Sequence, residues 1–228
     1  MVKYIIIIAT KKEFINMKEE NQPTIIGENT VFIDDTVQFG KNVIIHPNNI
    51  IKGNTVIGDN VVLMPNNYIV DCRVSNDCTI DHSYIEASTI AEKTSIGPFS
   101  RLRPNSTIGS NCKIGNFVEI KNSNIGDGSK ASHLAYIGDA DIGKDCNIGC
   151  GAIFVNYNGK SKSRSKVGNN CFIGSNVNVV APVNIADDSY ICAGTTITID
   201  TNPFDFVIGR VRETVKTEYA KKYKTEIK

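Results

Sequence analysis

Along most of this chain an aliphatic side chain returns every sixth residue, and the residues between the returns are polar. The series runs at steps of six from Ile33 through Ile45 and Ile57 to Ile69, and continues from Val74 to Ile125 with occasional steps of five. It resumes at Ile137, Ile142, Ile148 and Phe154, and again from Val167 to Ile197. An α-helix requires apolar residues at spacings of three and four, and a hairpin meander requires longer alternating strands with turns between them. A strict six satisfies neither. A six-residue unit with one inward aliphatic, often followed by glycine or aspartate, is the signature of a parallel β-helix in which three units make one triangular coil. The pattern predicts an all-β chain whose aliphatics stack as ladders down the interior, with the five-residue steps as tighter corners.

Two places depart from the repeat. In GSKASHLAYIGDADIGKDCNIGCG (residues 128–151) the ladder falters at Ala131, and His133 stands beside the weak position. From Phe154 to Val167 the step is thirteen where six is expected. The seven extra residues, within NYNGKSKSRSK (156–166), are expected to leave the rod as a loop carrying Lys160, Lys162, Arg164 and Lys166, and long loops on regular scaffolds are frequently functional. The ends of a β-rod invite strand addition and need covering. Residues 1–24 are a candidate leader or cap, residues 25–212 form the repeat domain, and residues 213–228 form a charged tail, expected as a short helix or strand that frays.

Composition narrows the partners. Lysine plus arginine (25) nearly balance aspartate plus glutamate (24), so no overall field argues for nucleic acid or an anionic membrane. The apolar run Tyr4 to Ala9 is too short to span a bilayer and lacks a secretory cleavage site, which predicts a cytoplasmic protein. The seven cysteines show no C-x-x-C spacing, so neither a disulfide framework nor a metal site is expected. Cys72, Cys78, Cys112, Cys146 and Cys171 each lie two residues before a ladder aliphatic, where cysteine serves as a small buried hydrophobe.

The motifs carry a closer resemblance. IGPFSRLRP (96–104), NFVEIK (116–121), GSKASHLAYIGDADIG (128–143), NIGCG (147–151), NYNGKSK (156–162) and FIGSNVNVVAPV (172–183) resemble, in order, the carboxy-terminal half of the bifunctional N-acetylglucosamine-1-phosphate uridyltransferase / glucosamine-1-phosphate N-acetyltransferase family. The likeness covers about residues 25–212. It implies a left-handed parallel β-helix of hexapeptide repeats, a homotrimer with sites between subunits, and acetyl transfer from acetyl-CoA to the amine of glucosamine 1-phosphate, a step toward UDP-N-acetylglucosamine and cell-wall precursors. No glycine-rich, lysine-containing nucleotide loop is present, so the uridyltransferase activity and its magnesium site are expected to be absent.

Such a transfer needs a base for the amine proton, donors for the thioester oxyanion and cations for the sugar phosphate. By resemblance His133 is the catalytic base, and an imidazole, with an unperturbed pKa of about 6.5 in model peptides, is a suitable residue type for that task at neutral pH. Arg103 and Lys121 match the phosphate-binding residues, with guanidinium and ammonium groups complementing phosphate oxygens. Tyr136 and Asn147 match sugar-binding positions. Asn156, Tyr157, Cys150, Ser175, Ala193 and Arg210 correspond to acetyl-CoA contacts, and Lys162 to a lysine reaching the site from a neighbouring subunit. Cys150 replaces a usual alanine, Asn158 an aspartate and Ser132 a glycine, while His46 and His82 lie outside the motifs. Two other readings remain: an acyltransferase for another amino or nucleotide sugar, and a non-catalytic trimeric scaffold for a separate uridyltransferase. A scaffold has no need of His133, Asn156, Arg103 and Lys121 together.

Overall fold

The computed structural model describes residues 21–223. Thirty strands of two to four residues, among the described residues, join into three parallel sheets of eleven, ten and nine strands. Each strand pairs only with the strands one coil before and one coil after it, so the chain winds as a left-handed β-helix of about ten turns. Coils are offset by 18 residues at Ile33↔Ile51 and by 17 at Ile114↔Ala131. They stack at the usual interstrand spacing of roughly 4.8 Å.

The six-residue period becomes a core because each strand contributes one inward side chain. Ile51, Ile69, Ile85, Leu102, Ile120 and Ile137 stack on the second sheet, all fully buried. Matching columns run down the other two sheets. Ala131 keeps its place in the first-sheet column between Ile114 and Ile148 and is 1% exposed, so the ladder shrinks there but does not break. Burial of each isoleucine is worth roughly 2–3 kcal/mol.

Between sheets the backbone turns through left-handed residues, most of them asparagine or aspartate, such as Asn105 (φ 63°), Asn122 (φ 48°) and Asp139 (φ 50°). These side chains tolerate that region best among non-glycine residues. They therefore fall in register and form ladders of their own at the corners.

The cysteines do more than fill space. Cys78, Cys112, Cys146 and Cys171 each aim a thiol at a carbonyl one coil on, Cys112 Sγ to Gly126 O at 3.2 Å and Cys146 Sγ to Gly168 O at 3.0 Å. Thr94 and Ser129 make the same contact from the same corner, so these thiols act as weak hydroxyl equivalents. Burial pushes the Cys72 and Cys112 thiols up to about 11.

At the amino-terminal end the interior opens as a cavity of about 680 Å³ lined in part by Ile25, Ile33, Val37 and Phe39. Residues 1–20, which belong to the segment expected as leader or cap, lie outside the described residues. At the other end, among the described residues, the last strand is Phe206–Val207, followed by a 3₁₀ turn at Tyr219–Tyr223. Residues 224–228 of the tail also lie outside the described residues. Among the described residues no helix is long and apolar enough to cross a membrane.

Candidate active site

Three neighbouring second-sheet strands, Arg101–Leu102, Glu119–Lys121 and Tyr136–Gly138, present their outward side chains on one face. Strand alternation dictates this, since Leu102, Ile120 and Ile137 between them point inward. The two arginines of RLRP part company. The guanidinium of Arg101 sits 5.6 Å from the centre of the Tyr84 ring, one coil back, whereas Arg103 turns forward and meets Glu119, Nη1 to Oε1, at 3.1 Å.

Lys121 lies opposite Gly138. A β-carbon at Gly138 would come within 2.5 Å of the Tyr136 hydroxyl, so the tyrosine ring is folded over the bare backbone. That posture brings its hydroxyl to 3.5 Å from the Asn156 amide nitrogen.

Asp139 occupies the next corner and is 6% exposed. Asn122 stands at the same corner one coil earlier. Lys121 Nζ donates to both carboxylate oxygens of Asp139, at 2.8 and 2.9 Å, and the Asn122 amide donates to Oδ1 at 2.6 Å. The amide of Asn156, itself buried, donates to Oδ2. Burial alone raises an aspartate, but the donors from Lys121, Asn122 and Asn156 outweigh it and hold this carboxyl below the usual range. Lys121, Tyr136 and Asn156, named from the sequence, are thus brought together, and Asp139 joins two of them directly.

His133 ends the strand Lys130–His133 and is exposed, directly in register with Asn116. Nδ1 lies 2.6 Å from Asn116 Oδ1. A carbonyl oxygen only accepts, so Nδ1 carries the proton and Nε2 keeps its lone pair in the neutral ring. Leu134 turns the corner with φ 44°, and Tyr136 then opens the second-sheet strand. Histidine and tyrosine therefore flank one edge of the rod.

Further along that edge, strand register places Cys150, Ser175 and Ala193 on successive coils, all exposed. Their small side chains form one lane along that edge. Arg210 closes its far end, with Nη1 donating to Ala193 O at 3.0 Å. Asn147 lies on the first sheet between Lys130 and Phe172, the first of three stacked rings that continue through Tyr190 to Phe206.

The excursion between Phe154 and Val167 is shorter and better anchored than its sequence suggests. Ser165–Val167 is already a strand, so Lys166 belongs to the rod. Arg164, expected among the loop charges, folds back as a fork on Asp141 (Nε to Oδ2 2.8 Å, Nη2 to Oδ1 2.5 Å) and reaches Asn122 O at 2.7 Å. A planar guanidinium that meets a carboxylate with two parallel bonds gains more there than in water. What leaves the rod is a small hairpin closed by an antiparallel bridge between Tyr157 and Lys162, with both side chains exposed. Lys162 makes no ion pair among the described residues.

Asn116, Glu119, Asp139 and Asp141 were not singled out in the sequence. The available signal was spacing, since Asn122, Asp139 and Asn156 recur at intervals of 17 residues, one coil.

Known proteins match these same segments. Residues 84–157 match the family described as GMPPB C-terminal domain, and residues 164–198 match the family described as bacterial transferase hexapeptide (six repeats). A stretch of 107 residues, 47% of the chain, is 56% identical to the bifunctional protein GlmU of Limosilactobacillus fermentum and covers 24% of that protein. The GlmU protein of Clostridioides difficile is 54% identical over a stretch of the same length, 23% of its own chain. Over that stretch the chain is similar to the GlmU proteins. The resemblance read from the motifs therefore holds, and the matched stretch spans about a quarter of these relatives. Among solved structures, the UDP-N-acetylglucosamine acyltransferase of Campylobacter jejuni superposes with a TM-score of 0.51 at 18% identity, covering 82% of this chain and 71% of that one. That likeness concerns the fold.

Proposed function

We propose that the chain is an acyltransferase of the hexapeptide type that moves the acetyl group of acetyl-CoA to the amine of glucosamine 1-phosphate. The observation that carries this reading is the 2.6 Å contact of His133 Nδ1 with Asn116 Oδ1, which in the neutral ring leaves the Nε2 lone pair at the rod edge beside Tyr136. Similarity to GlmU proteins over nearly half the chain supports it.

In this reading the sugar phosphate is held by Arg103 and Lys121, and Tyr136 and Asn147 orient the ring. Acetyl-CoA lies along the lane of Cys150, Ser175 and Ala193 toward Arg210, with Asn156 and Tyr157 at its reactive end. The amine nitrogen attacks the thioester carbonyl carbon while His133 Nε2 takes its proton. The carbon–sulfur bond then breaks, the amide carbonyl reforms, and the imidazolium returns the proton to the departing coenzyme A sulfur. Lys162 extends away from its own rod, which suits a contribution to a neighbouring subunit's site in a homotrimer. Magnesium has no part in this transfer, and nucleotidyl transfer is not assigned to the chain.

The test is release of coenzyme A thiol from acetyl-CoA by the purified protein, with glucosamine 1-phosphate as acceptor. Thiol release with N-acetylglucosamine 1-phosphate as product is the expected result. Release only with other amino or nucleotide sugars overturns the substrate, and failure to bind coenzyme A at all overturns the reaction.

A further inference from the structure

We infer that Asp139 is a positioning residue for the substrate site, a buried carboxylate that holds the Lys121 ammonium and the Asn156 amide in fixed relation. This rests on the function proposed above, to which it adds a residue outside the inferred substrate contacts.

The geometry carries the inference. Lys121 is a single flexible cation on an open sheet face, and such a side chain ordinarily samples many rotamers. Here its side chain is only 17% exposed and two of its three ammonium protons are committed to Asp139. The third proton is left for a ligand. Asp139 is itself over-determined, since Asn122 and Asn156, one coil on either side, donate to its two oxygens. The carboxylate is thereby sandwiched in the corner ladder and cannot swing with the lysine. Asn156 opens the hairpin that carries Tyr157 and Lys162, and Arg164 closes that hairpin on Asp141, the neighbour of Ala140. One corner of two adjacent coils therefore anchors both the phosphate-side lysine and the root of the excursion. Strand stacking alone would hold the rod without any charge at this corner, as Ala87 and Asn105 do at the same corner in earlier coils.

Asp139→Asn retains the shape and an acceptor for Asn156 or Asn122 but no longer balances the ammonium. The Lys121 amine in the variant is expected to be acetylated by sulfosuccinimidyl acetate several-fold faster than in the wild type, read by mass spectrometry, at unchanged secondary structure by circular dichroism. The KM for glucosamine 1-phosphate is expected to rise about tenfold, the usual weight of one charge-assisted hydrogen bond. Asp139→Asn adds nothing further to the KM for glucosamine 1-phosphate in a Lys121→Ala background, because there the two residues act as one unit. Equal labelling of Lys121 in the two proteins, or a full additional rise of KM in the Lys121→Ala background, overturns the inference. Should Asp139→Asn not fold, the wild type supplies the test: Lys121 must label at least tenfold more slowly than the exposed Lys113, and equal rates overturn the inference. A wild type inactive on glucosamine 1-phosphate removes the proposed function while the labelling result still decides whether Asp139 holds the lysine.

Discussion

The ring of Tyr136 lies across the backbone of Gly138, its hydroxyl 2.5 Å from where a β-carbon would be. The glycine is there for space and not for an unusual φ, since it is absent from the left-handed glycines. Gly138→Ala must therefore evict the ring while leaving the coil intact. The expected outcome is a thermal midpoint within a few degrees of wild type together with a clear rise in KM for the sugar acceptor. Steady-state kinetics and a melting curve on the same preparation check it; an unchanged KM would mean that the tyrosine does not touch the acceptor.

His133 and Asn116 predict a graded pair of losses. Removing the base in His133→Ala is expected to lower kcat by roughly two to four orders of magnitude. Asn116→Ala removes a hydrogen bond worth about 1 kcal/mol, which corresponds to roughly a fivefold loss, and frees the tautomer. A His133→Ala enzyme that keeps the wild-type kcat would remove the histidine from the reaction.

Acid should loosen the corner that holds Lys121 and the hairpin. Arg164 holds the Asp141 carboxyl below its usual range, and the donors around Asp139 overcome the opposing effect of burial. A depressed carboxylate contributes stability that is fully present above its unfolded pKa of about 3.9 and is lost as pH falls through the lower folded value. Denaturant midpoints measured from pH 6 downward are expected to hold until about pH 4 and then fall. In Asp139→Asn part of that acid-dependent fall should vanish, and an identical pH profile for the variant would contradict the assignment.

Thiol chemistry separates the lane from the core. Cys150 is exposed, whereas the other six cysteines are buried. Iodoacetamide is expected to modify Cys150 in the folded protein and the remainder only after denaturation, because burial keeps the reagent away from their sulfurs. If the lane holds the acyl donor, saturating coenzyme A slows the Cys150 reaction. Protection absent under saturating coenzyme A would place the donor elsewhere.

The fold was legible because its decisive information is local. One inward aliphatic in six is a property of a few neighbouring residues, and repeating it between Ile33 and Ile197 leaves few architectures other than a stacked coil. The same holds for the motifs around Arg103, Lys121, His133 and Asn156, which are short and contiguous. The cysteines were placed correctly as buried, yet their hydrogen bonds to the following coil depend on a partner 13 to 22 residues away and are not a local property.

What the linear chain determined by itself is therefore the period, the core columns and the identity of most candidate site residues. Which of those residues meet is a matter of register between coils, and only the folded rod decided it. Asp139 reads as an ordinary turn residue in GDADIG until stacking lays Asn122 and Asn156 above and below it and Lys121 at its side. Arg164 reads as one more loop charge until the coil brings Asp141 within reach of both its nitrogens. His133 gains a defined tautomer only because Asn116, 17 residues earlier, stands one strand away. The physical reason is common to all three: a side-chain hydrogen bond needs partners within about 3 Å, and in a coil of 17 or 18 residues that closeness comes from stacking and not from adjacency along the chain.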